Sequence, residues 1–147
     1  MNKIIFIGKT GCGKTSLCQA MHNEDVSYNK TQQVVNFQDS IDTPGEFLES
    51  RILYDHLVSA AVDAGIVCFV QSAKRGDQNN YFPPLFTSRF QNKKIVGVVT
   101  KIDAVDEQVQ IDQAESVLKQ AGVTQLFDTS VVTKKGLDEL FDWFKQA

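Results

Sequence analysis

The sequence has little arginine, proline or tryptophan and no dominant charge: of 147 residues three are Arg, three Pro and one Trp, and the formal net charge is −3. Without a basic excess, a nucleic-acid-binding surface is not expected to be the chain's main business. Cysteine is scarce and unpatterned. Cys12, Cys18 and Cys68 contain no C-x-x-C pair, so neither a zinc knuckle nor a disulfide framework is expected, and a reduced cytosolic setting is. No apolar run approaches the roughly 20 residues of a membrane span. A first strand starting at residue 3 leaves no room for a signal peptide, and Trp143 to Ala147 carries neither a prenylation cysteine nor a polybasic tail. The expectation is a cytoplasmic protein with no direct membrane anchor. Repeats, low-complexity tracts and linkers are lacking too, so residues 1–147 read as a single domain with a sizeable core.

What is present is concentrated near the start. The apolar run Ile4–Ile7 reads as a buried strand, empties into a turn carrying Gly8, Gly11 and Gly13, and is followed by helix-forming residues from Ser16 to Met21. The turn fits G-x-x-x-x-G-K-[ST], the phosphate-binding loop, in its required strand–turn–helix context. Glycine is needed there for access: without Cβ atoms the backbone wraps a polyphosphate and aims successive N–H groups at its oxygens. The helix that begins there adds a positive dipole end. Nucleotide contacts are therefore expected from Gly8, Lys9, Thr10, Gly11, Cys12, Gly13, Lys14, Thr15 and Ser16. Lys14 would reach the β- and γ-phosphates, and the Thr15 hydroxyl would ligate Mg²⁺. Cys12 lies where a helix N-terminus can lower a thiol pKa, although a small loop residue suffices to explain it.

Further strands are expected at Lys3–Ile7, Gly65–Gln71, Lys94–Thr100 and, more weakly, Leu126–Val132, all without clean alternation, as in parallel strands covered on both faces. Helices are expected at Arg51–Asp63, Phe82–Phe90 and Glu107–Ala121. A last helix presents Leu137, Leu140, Phe141 and Phe144 on one face, with Trp143 partly exposed. Gln33–Phe37 and Ser40–Asp42 suggest a short additional hairpin. The alternation predicts an α/β fold: a doubly wound sheet, mostly parallel with one short antiparallel edge hairpin, in three layers.

Ligands of such sheets bind at the carboxyl ends of strands. There, Asp42-Thr43-Pro44-Gly45 offers a carboxylate able to hold Mg²⁺ through its water shell and a glycine N–H for the γ-phosphate. Thr100-Lys101-Ile102-Asp103 follows a later strand. Asp103 can accept two hydrogen bonds from guanine N1–H and its exocyclic amine, which adenine cannot supply, while the Lys101 stem covers base and loop. Ser130 is positioned to brace Asp103, and the Val131 N–H to face guanine O6. His22 and His56 have no acidic or Cys companions at ligand spacing, and Lys74–Asp77 reads as a solvated turn.

These elements, in this order, resemble the small-GTPase branch of P-loop proteins. Lys30-Thr31-Gln32 and the run D-S-I-D-T-P-G-E from Asp39 to Glu46 resemble, more closely, the EutP/PduV family of GTPase-like proteins of ethanolamine and propanediol utilisation. The resemblance implies that Thr31 is a switch threonine whose hydroxyl ligates Mg²⁺ and whose backbone meets the γ-phosphate. It also implies association with a bacterial microcompartment, through a shell or pathway protein. Departures are visible: 27 residues separate Lys14 from Asp42, a trimmed span. Glu46 stands where signalling GTPases carry a water-orienting Gln, Thr100 replaces Asn, and Val131 replaces Ala. An ionised Glu46 would be repelled by the γ-phosphate, so hydrolysis by Lys14, Thr31, Gly45 and Glu46 should be slow. The function expected is a Mg²⁺-dependent, GTP/GDP-binding protein. Alternatives are an ATP-using phosphotransferase acting on a small carboxylate, which the family's ascribed acetate kinase activity implies, and a non-catalytic adaptor. Against the phosphotransferase stand the three arginines, Arg51, Arg75 and Arg89, and the absence of a lid insertion.

Overall fold

The computed structural model describes residues 3–9, 11–28, 40–42, 54–74 and 82–147. In chain order these form β1 (Ile4–Ile7), α1 (Lys14–Tyr28), β2 (Ser40–Asp42), α2 (Tyr54–Ala60), β3 (Ile66–Ser72), β4 (Lys94–Thr100), α3 (Gln108–Gln120), β5 (Leu126–Asp128) and α4 (Leu137–Gln146). The five strands make one sheet in the order β2-β1-β3-β4-β5, and every recorded pairing is parallel. Its register sets Phe6 opposite Asp42 on one side and Cys68 on the other, and Val99 opposite Asp128.

Strands β1, β3 and β4 feed two cores. Ile5, Ile7, Val67, Phe69 and Val99 face α2 and α3, where Leu57, Ala61, Ala114 and Leu118 close the layer. Ile4, Phe6, Cys68, Val96 and Val98 face α1 and α4, meeting Leu17, Met21, Leu140, Phe141 and Phe144. Both sides of the sheet are dry, which is why β1 and β3 read as unbroken apolar runs. The result is the expected doubly wound α/β sheet in three layers. Of the anticipated hairpin, Ser40–Asp42 is a strand, paired parallel to β1; Gln33–Phe37 lies outside the described residues.

Three expected elements differ. Phe82–Phe90 is not an α-helix but a single 3₁₀ turn, Phe86–Arg89. Pro83 and Pro84 supply no N–H groups, Leu85 adopts a left-handed φ of 56°, and the segment is held instead by Leu85 and Thr87 N–H groups donating to the carbonyls of Gln120 and Ala121. Phe82, Phe86 and Phe90 then surround Phe69, with ring centroids 5.0–6.0 Å from it. The last strand stops at Asp128, not Val132, because Ser130 leaves the ladder: its N–H donates to the Lys135 carbonyl and its Oγ accepts from the Thr133 N–H. Helix α2 spans Tyr54–Ala60 and stops short of Asp63; residues 51–53 lie outside the described residues. The chain turns out of it through Ala61 and Val62, and the Lys93 ammonium holds the following turn by donating to the Ala64 carbonyl at 2.7 Å.

Candidate functional site: the carboxyl edge of the sheet

The loop between β1 and α1 owes its shape to glycine. Gly11 and Gly13 have φ of +85° and +97°, a region that L side chains rarely adopt. A Cβ on Gly8 would lie 2.6 Å from both Cys12 Sγ and the Val70 carbonyl oxygen, so only glycine lets β1 pass so close to β3. The Cys12 N–H donates back to the Lys9 carbonyl at 3.1 Å, closing the turn, and α1 opens at Lys14. Thr15 and Ser16 are exposed in its first turn. The Lys14 side chain is only 6 % exposed, and its ammonium lies over the loop, 3.4 Å from the Lys9 carbonyl.

The β4 exit grips this loop from the side. Thr100 is buried, and its hydroxyl donates to the Cys12 carbonyl at 2.5 Å. A Cβ on Gly13 would touch the same threonine at 3.4–3.6 Å. The Lys101 ammonium donates to the Gly11 carbonyl at 2.5 Å, from a residue whose own φ is 62°. Asp103 follows in a one-turn 3₁₀ helix, Ile102–Ala104, with its side chain at the surface. The Ser130 hydroxyl donates to Asp103 Oδ1 at 2.7 Å, the contact that the sequence suggests. Behind it, the Thr129 N–H and Oγ1 both donate to the Val99 carbonyl, at 2.7 and 2.9 Å, and the Ile102 N–H donates to the Thr129 carbonyl. Phosphate loop, β4 exit and β5 exit are thus one hydrogen-bonded unit.

Of the residues singled out in the sequence, Gly8, Lys9, Gly11, Cys12, Gly13, Lys14, Thr15, Ser16, Thr100, Lys101, Asp103, Ser130 and Val131 all lie along this edge. Asp42 ends β2 in register with Phe6, two residues before Gly8. Thr10, Thr31, Gly45 and Glu46 lie outside the described residues. Cys12 is buried in the loop. Burial pushes its thiol up, outweighing the Lys14 and Lys101 charges and the loop N–H that pull the other way, so the helix N-terminus does not lower it. Burial raises Cys68 far more, helped by Cys18 and Cys12 nearby. His56 is exposed on α2. Among the described residues, no cluster of His, Cys, Asp or Glu could hold a metal ion and no helix is long and apolar enough to cross a membrane.

Sequence reasoning missed two features. Gln71 and Ser72 are buried at the β3 exit, where the Ser72 hydroxyl accepts from the Lys74 N–H and the Ala73 N–H donates to the Thr100 carbonyl. Two polar residues ending an apolar strand were the available signal. Glu115 on α3 meets the Asp128 side chain at the end of β5. Nothing in the spacing of those two residues announces that contact.

The chain matches the family described as ethanolamine utilisation – propanediol utilisation (PduV-EutP) over residues 1–146. It is 43% identical over 141 residues to the propanediol utilization protein PduV of Citrobacter freundii, covering 96% of this chain and 91% of that one. It is 27% identical to the probable acetate kinase EutP of Escherichia coli, covering 97% and 89% of the two chains. Among solved structures, the translation elongation factor SelB of Methanococcus maripaludis in its apo form superimposes with a TM-score of 0.64 at 20% identity, over 97% of this chain and 32% of SelB. That likeness concerns the fold.

Proposed function

This chain belongs to the PduV–EutP family of ethanolamine and propanediol utilisation, and on that premise we propose that it is a guanine-nucleotide-binding protein that hydrolyses GTP slowly. The observation carrying the proposal is the joint between Asp103, braced by Ser130, and the phosphate loop, gripped by Thr100 and Lys101. A residue able to read guanine thus follows closely on the two residues whose hydrogen bonds grip the triphosphate cradle. The further likeness to GTPase Der of Sulfurihydrogenibium, 27% identical over 95% of this chain and 37% of that one, supports the same reading.

In this reading the Gly11–Gly13 turn presents backbone N–H groups to the β-phosphate, and the Lys14 ammonium leaves the Lys9 carbonyl for the β- and γ-oxygens. Asp103 accepts the two guanine N–H donors while the Lys101 stem lies across the base. Thr15, in the first turn of α1, Asp42, ending β2, and Thr31 would be the residues to hold Mg²⁺, for which hydroxyl and carboxylate oxygens are suited. The bound ion would offset phosphate charge. Water attacks the γ-phosphorus in line as the bond to the β–γ bridging oxygen breaks, and GDP and inorganic phosphate leave with the water's proton passing to solvent. Gly45 donates its N–H to the γ-phosphate, and Glu46, a carboxylate, orients water poorly, which makes turnover slow, about as slow as the intrinsic Ras rate or below. Residues around 23–36 and 43–51 would report the nucleotide state to a shell or pathway protein of a microcompartment in the cytoplasm.

The E. coli relative, a probable acetate kinase, favours a second reading, phosphoryl transfer from ATP to a small carboxylate. One experiment separates the two: affinities for GTP and ATP, with Mg²⁺, for the wild type and Asp103→Asn. A guanine reader prefers GTP, and the variant loses GTP by about 100-fold or more and gains xanthosine triphosphate. Equal affinities, unmoved by the variant, together with acetate-stimulated ADP formation, overturn the GTP reading in favour of the kinase.

A further inference from the structure

Asp128 closes β5 one residue before Thr129 and two before Ser130, the residues that tie the β5 exit to Val99, Ile102 and Asp103. One of its carboxylate oxygens, Oδ1, is buried and accepts no hydrogen bond among the described residues. A buried acceptor without a donor is costly, and native proteins seldom keep one. The carboxyl group of Glu115, just past the middle of α3, lies within hydrogen-bonding reach of the Asp128 side chain. Two ionised carboxylates have no donor between them. One proton on the pair supplies it.

We propose that Glu115 and Asp128 form a proton-sharing carboxyl pair that positions the β5 exit, so that guanine selectivity at Asp103 depends on that proton being held. The inference rests on the reading of Asp103 as the purine-selecting residue. Burial, the hydrogen bond to Asp128 and the Asp128 charge together push the Glu115 carboxyl up to about 7. The remaining charges that bear on it come from its own helix: Lys119 pulls it down and Asp112 pushes it up, and they do not cancel the effect of Asp128. When the proton leaves, like charges face each other between Glu115 and Asp128, with no donor between them. The strain falls on the residue next to Thr129, whose two bonds to Val99 hold the loop that carries Ser130. Glu115 and Asp128 are positioning residues: neither needs to touch the nucleotide.

The test is the ratio of GTP to ATP affinity of the full chain at about pH 6 and about pH 8.5, a ratio in which titration of the terminal phosphate cancels because both nucleotides share it. The wild-type preference for GTP should fall by about fivefold from the lower to the higher pH. Glu115→Gln, whose amide keeps a donor beside Asp128 at every pH, should hold the low-pH preference throughout. Carboxyl ¹³C titration of the wild type reads Glu115 itself and does not depend on the variant folding; a midpoint near 7 is expected, and one near the ordinary 4.5 overturns the inference. A GTP preference that is the same at both pH values also overturns it while leaving Asp103 as the base reader. GTP and ATP bound alike at every pH, with Asp103→Asn without effect, removes the base reader and the inference with it.

Discussion

The phosphate loop and the base-reading end lie side by side, yet they are held by different means. The loop is fixed by what its residues lack: Gly8 by a contact no Cβ could survive, Gly11 and Gly13 by positive φ. The base-reading end is fixed by what its residues carry, through the hydroxyls of Thr100, Thr129 and Ser130, the Lys101 ammonium and the Asp128–Glu115 carboxyl groups. Backbone shape tolerates no substitution but is indifferent to pH. Side-chain tethers can be tuned one at a time, and they respond to protonation.

Breaking the comparison at the loop should have the largest effect. Gly8→Ala forces a methyl against the Val70 carbonyl oxygen, and backbone cannot step aside, so stability should drop by about 1–3 kcal/mol, read by urea denaturation. With the fold intact, Lys14→Ala should weaken GTP and ATP equally, on the order of 100-fold by calorimetry, since the ammonium serves phosphates and not the base. A smaller and selective loss is expected at the other end. Ser130→Ala removes the donor to Asp103 and should cost GTP about tenfold with ATP nearly unchanged; equal losses for both nucleotides would erase the distinction between the two regions. Thr100→Val, which keeps shape but drops the hydroxyl that joins them, should destabilise by about 1 kcal/mol. The smallest effect is a pH slope. Glu115 is raised from 4.5 to about 7 in the fold, so the stability it lends is full below about 4.5 and is lost as pH rises to about 7. Glu115→Gln should flatten that slope in denaturation midpoints measured across the window.

The division also decides what could be read from the sequence. Gly8, Gly11 and Gly13 at fixed spacing after Ile4–Ile7 announce a phosphate loop because backbone access admits no other residue there. The two-faced strands and the Leu137–Phe144 stripe were legible for the same reason, a period imposed by geometry. Tethers are less legible. Thr100 could be seen as a variant of an expected Asn, but its bond to the Cys12 carbonyl spans 88 residues. Glu115 and Asp128 meet only because α3 packs beside β5. Phe82–Phe90 misled because its aromatic spacing mimics a helical stripe, whereas the rings converge on Phe69 from a turn with two prolines. For Cys12, the place at a helix N-terminus was visible in sequence and the depth of the thiol was not.

The ammonium of Lys14 already sits out of water, resting against the Lys9 carbonyl at a long 3.4 Å. An incoming anion therefore needs no fresh dehydration of that cation; it only redirects a group parked in place. Lys14 is nearly buried, and any tight polyanion, even one without a base, engages its ammonium at that place. Inorganic triphosphate should accordingly raise the melting temperature on its own.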